Sequence, residues 1–279
     1  MAEITAQMVQ ELREATNVGM MECKRALAEA GGDKEKAIRF LRERGMAIAA
    51  KKATRAANQG LVAAAVRDGR AGALIEVNCE TDFVAKNPGF QEFVKGLAGK
   101  ALDLADNTIT EATKAEMAAK VAEIGENLVA KRNVRFVVQG FGLVATYIHL
   151  NGKIGVMIEL GCAKDATAAN PAVVELAKDI TLHVAACSPR WLVRSEVPAA
   201  VVQSEREIAA KQVEGKPVQI VEKIVDGKMG KFYSQVCLVE QGFVKDPDLS
   251  VTKLLEAKGK EVGDTLTLRR FVRYQMGAE

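Results

Sequence analysis

The chain has 279 residues, 48% of them hydrophobic and 27% charged, with a formal net charge of +3. That is enough apolar material for two or three packed units under a soluble surface. It is too small an excess of base for a dedicated nucleic-acid binder, which needs a dense cationic face.

Other classes fall away on motif grounds. No apolar run nears the roughly 20 residues of a membrane span. MAEITAQMVQE has neither the regions of a signal peptide nor the Arg-rich character of a transit peptide, so a cytoplasmic protein is expected. Five scattered cysteines (Cys23, Cys79, Cys162, Cys187, Cys237) without a C-x-x-C pair read as free thiols in a reducing compartment. Two distant histidines, His149 and His183, are poor material for a zinc site or a His-based catalytic centre. No phosphate-binding loop, G-x-S-x-G, G-x-G-x-x-G or H-E-x-x-H occurs. A protein without cofactor, metal or catalytic centre is expected.

Residues 1–44 read as three short helices. Thr5 caps a run with Met8, Val9 and Leu12 on one face, and Asn17-Val18-Gly19 breaks it. MMECKRALAEA resumes with Met20, Cys23, Leu27 and Ala30 at helical spacing. Met20 and Met21 are adjacent, so one is expected in the core and the other outside. Gly31-Gly32-Asp33 stops the second helix and caps the third, whose stripe is Ala37, Ile38 and Leu41 and whose end is Gly45. AIAAKKATRAANQ, residues 47–59, reads as a solvated connecting helix or linker, with an RNA-touching patch as the alternative.

The middle of the chain repeats itself. GLVAAAV at 60 recurs as GLVATYI at 142. Gly72 then matches Gly155, Glu76 matches Glu159, Cys79 matches Cys162, Asp82 matches Asp165, and Asn87-Pro88 matches Asn170-Pro171. Each copy reads as strand, turn, strand, loop and amphipathic helix. Two copies imply an α+β core in two parts, with antiparallel sheets and helices on one face. Between the copies, residues 106–132 have helical spacing, and KRNVRFVVQGF reads as a strand leading into copy two.

After copy two, Val197, Val201, Ser204 and Ile208 follow 4-3-4 spacing. Gly215-Lys216-Pro217 breaks the pattern, and Val218, Val221, Val225, Met229 and Phe232 resume it. An antiparallel helical hairpin with a coiled-coil seam is expected. FYSQVCLVEQGFV reads as a return to strand, DLSVTKLLEAKG as a short helix and TLTLRRFVRYQM as the closing strand. The expected units are a module with its linker over 1–55, a first core half over 56–140, and a second half over 141–187 and 233–279. The hairpin, 188–232, is inserted in the second half.

NCETDFVAKNPGF, residues 78–90, places an acid and a ring side by side after a buried-looking strand. Asp82 has its match in Asp165, so it reads as a turn-holding acid. Phe83 matches Ala166 and Thr81 matches Lys164, so the shared fold does not require an aromatic there. Phe83 is either a core residue or a protruding ring for a partner's pocket, since aromatics are favoured anchors. On spacing alone Lys24 reads as a solvated lysine and His149 as a surface residue beside a turn.

LREATNVGMMECKRAL (12–27) and EVNCETDFVAK (76–86) resemble the two signature segments of the elongation factor Ts family. The resemblance runs almost end to end. It implies a UBA-like N-terminal three-helix module, a two-part core and a coiled-coil hairpin inserted in the second half. It implies as partner the translational GTPase elongation factor Tu, whose nucleotide exchange the family promotes, with no nucleic acid or membrane. Asp82 and Phe83, with Thr81, would carry the segment that reaches the GTPase domain, the ring wedging near the magnesium and phosphate site. Met20, Met21 and Lys24 would lie at the same domain's surface. His149 and Val244 would meet another domain, although Lys245 departs from the apolar residue found in some members. Some members add a C-terminal helix that touches the GTPase; this chain stops at RYQMGAE, so that contact is expected to be reduced or absent. The hairpin also offers a surface for self-association. A scaffold that binds a partner without altering its nucleotide release is the competing expectation.

Overall fold

The computed structural model describes residues 4–16, 18–213 and 218–278. It is a mixed helix-and-sheet protein whose sheets are all antiparallel. The N-terminal helices are α1 (Ala6–Thr16), α2 (Met20–Glu29) and α3 (Lys34–Lys52). Thr5 Oγ1 accepts from the Met8 amide and Asp33 Oδ1 from that of Lys36, which supplies two of the N-terminal caps. Leu12, Cys23, Ala26, Leu27 and Ala37 close the small core. Asn17, expected in the break after α1, lies outside the described residues.

Two expectations fail here. Gly45 does not end the third helix. It is buried in mid-helix, and a Cβ there would sit 3.5 Å from the Ala118 carbonyl oxygen and 3.6 Å from Ala122 Cβ. A Cβ at those distances would be in ordinary van der Waals contact; α3 packs against the later helix α7 at this point and runs on to Lys52. Met20 is not in the core stripe either. Both Met20 and Met21 are exposed, because Cys23, Ala26 and Leu27 already fill the inner face.

The first core half comprises β1 (Gln59–Arg67), β2 (Ala71–Cys79), α4 (Asp82–Lys86), α5 (Pro88–Ala101), α6 (Ile109–Ala112), α7 (Lys114–Ile124) and β3 (Val129–Val137). The second comprises β4 (Gly142–His149), β5 (Ile154–Cys162), α8 (Asp165–Ala168) and α9 (Pro171–Cys187). After the hairpin α10 (Ala199–Lys211) and α11 (Val218–Val236), it is completed by β6 (Gly242–Phe243), β7 (Asp246–Ser250), α12 (Val251–Val262) and β8 (Leu266–Gln275). The sheet orders are β1-β2-β3 and β4-β5-β8, with β6-β7 a small separate ribbon. Both long helices begin at the Asn-Pro step, where Asn87 and Asn170 cap and the proline supplies the first turn.

The repeat extends further than strand, turn, strand and helix. GENLVAKRNVRF (125–136) and GDTLTLRRFVRY (263–274) enter the third strand of each sheet in the same way, from a left-handed glycine and an acid. Each half packs helices on one face of its sheet, and the other faces meet. Val62, Leu74, Phe136, Val144, Met157 and Tyr274 fill the space between them. The central strands β2 and β5 are therefore buried on both sides.

The contact between the halves is reciprocal. A Cβ on Gly72 would lie 2.5 Å from Val144 Cγ1, and one on Gly155 would lie 2.3 Å from Val62 Cγ1. Glu76 and Glu159 are almost fully buried, each beside a bulge where its strand meets the third strand. Glu76 pairs with Arg132 at 2.6 Å, and Glu159 with Arg270 at 2.7 Å. Arg132 then lies over the Tyr274 ring at 4.2 Å, and Arg270 over Phe136 at 4.1 Å, each reaching the opposite half. The tail of each third strand also crosses: the Gly277 amide donates to Glu76 and the Gln139 amide to Glu159. Burial pushes the Glu159 carboxyl up, and the Gln139 amide with Arg269 and Arg270 more than offsets it, leaving it below the ordinary carboxylate range.

The hairpin helices pack through Ala209, Val213, Val225 and Met229, with Val202 and Val221 beside them. On α11 the expected stripe of Val221, Val225, Met229 and Phe232 faces the partner helix. On α10 it is displaced by one position: Ser204 and Ile208 are exposed and Val202 and Ala209 turn inward. The predicted break at Gly215-Lys216-Pro217 lies outside the described residues, as does the side chain of Val218. FYSQV is not strand, because α11 continues through it to Val236. Arg194 explains part of this: its guanidinium lies 4.5 Å over the Tyr233 ring and pairs with Glu240. Strand resumes only at β6.

The close approach of the sheets gives a direct test. Gly155→Ala is expected to destabilise by about 1–3 kcal/mol through overpacking against Val62. Gly99→Ala in α5, where a Cβ meets open space, is expected to stabilise by up to about 1 kcal/mol. Urea unfolding of both variants measures the difference.

Candidate partner-binding surface

The Thr-Asp-Phe segment follows β2 directly. Thr81 is the N-cap of α4, its Oγ1 accepting from the Val84 amide at 3.3 Å. A five-residue helix has no stability of its own, since nucleation alone costs more than so few bonds return. Its support comes from Glu126, whose carboxylate accepts from the Glu80 and Thr81 amides, both at 3.0 Å, and from Thr81 Oγ1 at 2.6 Å. Glu80 answers by accepting from the Asn127 amide at 2.6 Å. Ala85 is buried and Val84 packs on the core below.

The result is a hydrogen-bonded pedestal with one ring on it. Phe83 is 82% exposed, the most exposed of the large hydrophobic side chains among the described residues. It is no part of the core. Asp82 beside it bonds Lys86 at 2.6 Å, and that ammonium holds its carboxyl below the usual carboxylate range. Asp82, Phe83, Thr81, Glu80 and Gln59 line a shallow depression.

The same pedestal is built in the second half with a different outcome. Asp264 accepts from the Ala163 and Lys164 amides at 3.2 and 3.1 Å, as Glu126 does from Glu80 and Thr81. The helix there, α8, presents Ala166 where α4 presents Phe83. The fold requires the clamp. It does not require the ring.

The N-terminal module is tied to this clamp. Lys52 donates to the Gly125 carbonyl, Asn127 Nδ2 donates to the Arg55 carbonyl at 2.7 Å, and Arg55 lies 3.6 Å from Glu80. The module's exit and the Phe83 pedestal thus share the 125–127 loop. Glu80, Glu126 and Asn127 were not singled out from sequence; the match of Glu126 with Asp264 in the longer repeat was the signal available.

The remaining candidates lie on other elements. Met20, Met21 and Lys24 form an exposed group on α2. His149 ends β4 half-buried, its Nδ1 2.8 Å from the Tyr147 hydroxyl, with Leu150 exposed beside it in a left-handed turn. Val244 is part-exposed, and its amide donates to Nδ1 of the buried His183 at 3.1 Å. Nδ1 is therefore the acceptor and Nε2–H the donor, to Gln241 Oε1 at 3.0 Å. Burial lowers the His183 pKa from its ordinary 6.5. Lys245, adjacent to Val244, is held by Asp179 at 2.7 Å. All five cysteines are free thiols, and burial pushes Cys79 up to about 11. Among the described residues no three or more His, Cys, Asp or Glu side chains are grouped to hold a metal ion, and no helix is long and apolar enough to cross a membrane.

Comparison with known proteins fits this architecture. A family model described as Elongation factor TS matches residues 80–278, from the segment after β2 through the rest of the core and the α10–α11 pair. The chain belongs to the elongation factor Ts family. It is 47% identical to elongation factor Ts of Syntrophotalea carbinolica, over 99% of this chain and 93% of that one. It is 44% identical to that of Trichlorobacter lovleyi and 45% to that of Clostridium perfringens strain SM101, each over 98% of this chain and 93% of theirs. Membership of the elongation factor Ts family implies the role of a translation elongation factor.

Two outcomes are expected. Glu126→Ala should speed hydrogen exchange at the Glu80–Val84 amides, with a cost of about 1–3 kcal/mol for the lost charged acceptor. The native state holds His183 neutral, so the unfolded chain binds the extra proton below pH 6.5. Stability should therefore fall as pH drops from 7 through 6.5 toward the lowered native pKa. His183→Gln should flatten that fall in urea midpoints taken at successive pH values.

Proposed function

We propose that this protein binds elongation factor Tu in its GDP form and promotes GDP release, so that GTP can rebind. Phe83 is the element inserted toward the partner's magnesium and phosphate site, with Thr81 and Asp82 shaping its approach. Met20, Met21 and Lys24 add contacts to the same partner domain, and His149 and Val244 reach a second one. It acts in the cytoplasm as a binding protein, not as an enzyme, without cofactor, nucleic acid or membrane.

The observation that supports this reading is the ring itself. A phenylalanine 82% exposed on a clamped five-residue helix is preorganised, so little ordering entropy is spent when it enters a pocket. The energetics limit its share. Burying one Phe side chain yields roughly 1.5–3 kcal/mol, and each tenfold acceleration needs about 1.4 kcal/mol. The ring thus accounts for about one or two decades, and larger effects need the extended contacts. By linkage, a factor that binds the nucleotide-free partner more tightly weakens nucleotide binding by the same ratio.

Stopped-flow release of a fluorescent GDP from elongation factor Tu is the test. The wild type is expected to accelerate release catalytically, and Phe83→Ala to lose about ten- to a hundredfold of that with its fold intact. Binding without acceleration would replace exchange by the scaffold reading.

A further inference from the structure

A second site stands at the root of the hairpin, away from the Phe83 pedestal. Where the chain leaves α9, Pro189, Arg190 and Leu192 face residues 270–273 of β8 across a cavity of about 320 Å³. Three arginines line it: Arg190, Arg270 and Arg273. Arg270 is committed to Glu159. Arg190 and Arg273 have no carboxylate within 4 Å among the described residues. Arg190 lies over the ring of Trp191 at 4.3 Å, and Arg273 donates only to the neutral Gln275 side chain, at 3.0 Å. The Nε of Arg273 is buried without a hydrogen-bond partner. The one acid on the wall, Glu196, already accepts from the Leu192 amide at 2.8 Å.

The internal repeat supplies a control. Arg273 corresponds to Arg135 of β3 in the longer match of GENLVAKRNVRF with GDTLTLRRFVRY. The cavity beside Arg135 is lined by Asp106, and Asp103 feels the Arg135 charge as well. The second half keeps the arginine, and its cavity wall carries Arg190 and Arg270 with the single acid Glu196. An unpaired buried guanidinium N–H costs free energy; Arg135 Nε is left in the same state, so that cost belongs to the shared fold, and what the second half adds beside it is Arg190.

We propose that the Arg190–Arg270–Arg273 cavity is a binding site for a small phosphate-type oxyanion, a phosphate- or diphosphate-bearing ligand. Forked guanidinium donors match phosphate oxygens two at a time. Two cations without carboxylate partners suit a dianion better than a single carboxylate. A cavity of this size holds a small ligand and not a folded partner.

Trp191 is the only tryptophan in the chain, so its emission reports on Arg190 directly. The full-length protein is titrated with inorganic phosphate, pyrophosphate and acetate at constant ionic strength, with calorimetry in parallel. A saturable response to phosphate or pyrophosphate is expected, with acetate binding more weakly. Affinity should fall about tenfold or more in Arg273→Gln and in Arg190→Gln, the loss expected for a charged hydrogen bond. Arg190 is exposed, so its variant tests the site even where Arg273→Gln disturbs the strand. A non-saturating response, one reproduced by sodium chloride or acetate, or affinities unchanged in the variants would overturn the proposal. So would binding of a single-stranded RNA that pyrophosphate does not displace.

Discussion

Two buried carboxylates hold this molecule together. Glu76 and Glu159 sit where the two sheets meet, and a carboxylate in such a place is tolerable only if its charge and lone pairs are met. Each is met by an arginine from the third strand of its own sheet and by an amide from the tail of the other half's third strand. The same arginines then cover aromatic rings across the interface. Polar satisfaction and sheet-to-sheet packing are thus one arrangement, and neither half can complete it alone. The glycines that let the sheets approach, Gly72 and Gly155, follow from the same demand for a tight contact.

With the inner faces committed, the loops beyond β2 and β5 become free ground for function. The fold builds the same support at both, an acid from the approach to the third strand accepting two successive amides. Duplicating a support and varying its side chain separates scaffold from function. One copy carries Phe83 and the other Ala166. The Phe83 support shares its 125–127 loop with the exit of the N-terminal module, so the two are joined by direct hydrogen bonds.

Much of this was legible in the residues. Helix caps, the Asn-Pro starts and the strand pairs announced themselves by local chemistry, and the repeat foretold two similar halves. The misreadings came where a distant element decided. Gly45 carries a helix-stopping signal, but α3 packs on α7 at that point and the helix continues. FYSQV alternates like a strand, yet the hairpin seam and the Arg194–Tyr233 stack keep it helical. On α10 Val201 and Val202 offer two stripes, and only the facing helix selects between them.

The order of elements, the duplication, the free thiols and the family signature were therefore written in the sequence itself, because they depend on neighbours a few residues away or on direct comparison of segments. The sequence also set Phe83 apart, through its unequal match with Ala166 in copy two. Only the tertiary structure decided that Phe83 stands out in solvent, that Glu126 holds it there, and that Arg190 and Arg273 face one cavity. Those facts join residues far apart along the chain. No local pattern encodes such pairings; they exist only once two sheets, closed over their buried glutamates, fix where every outer loop must lie.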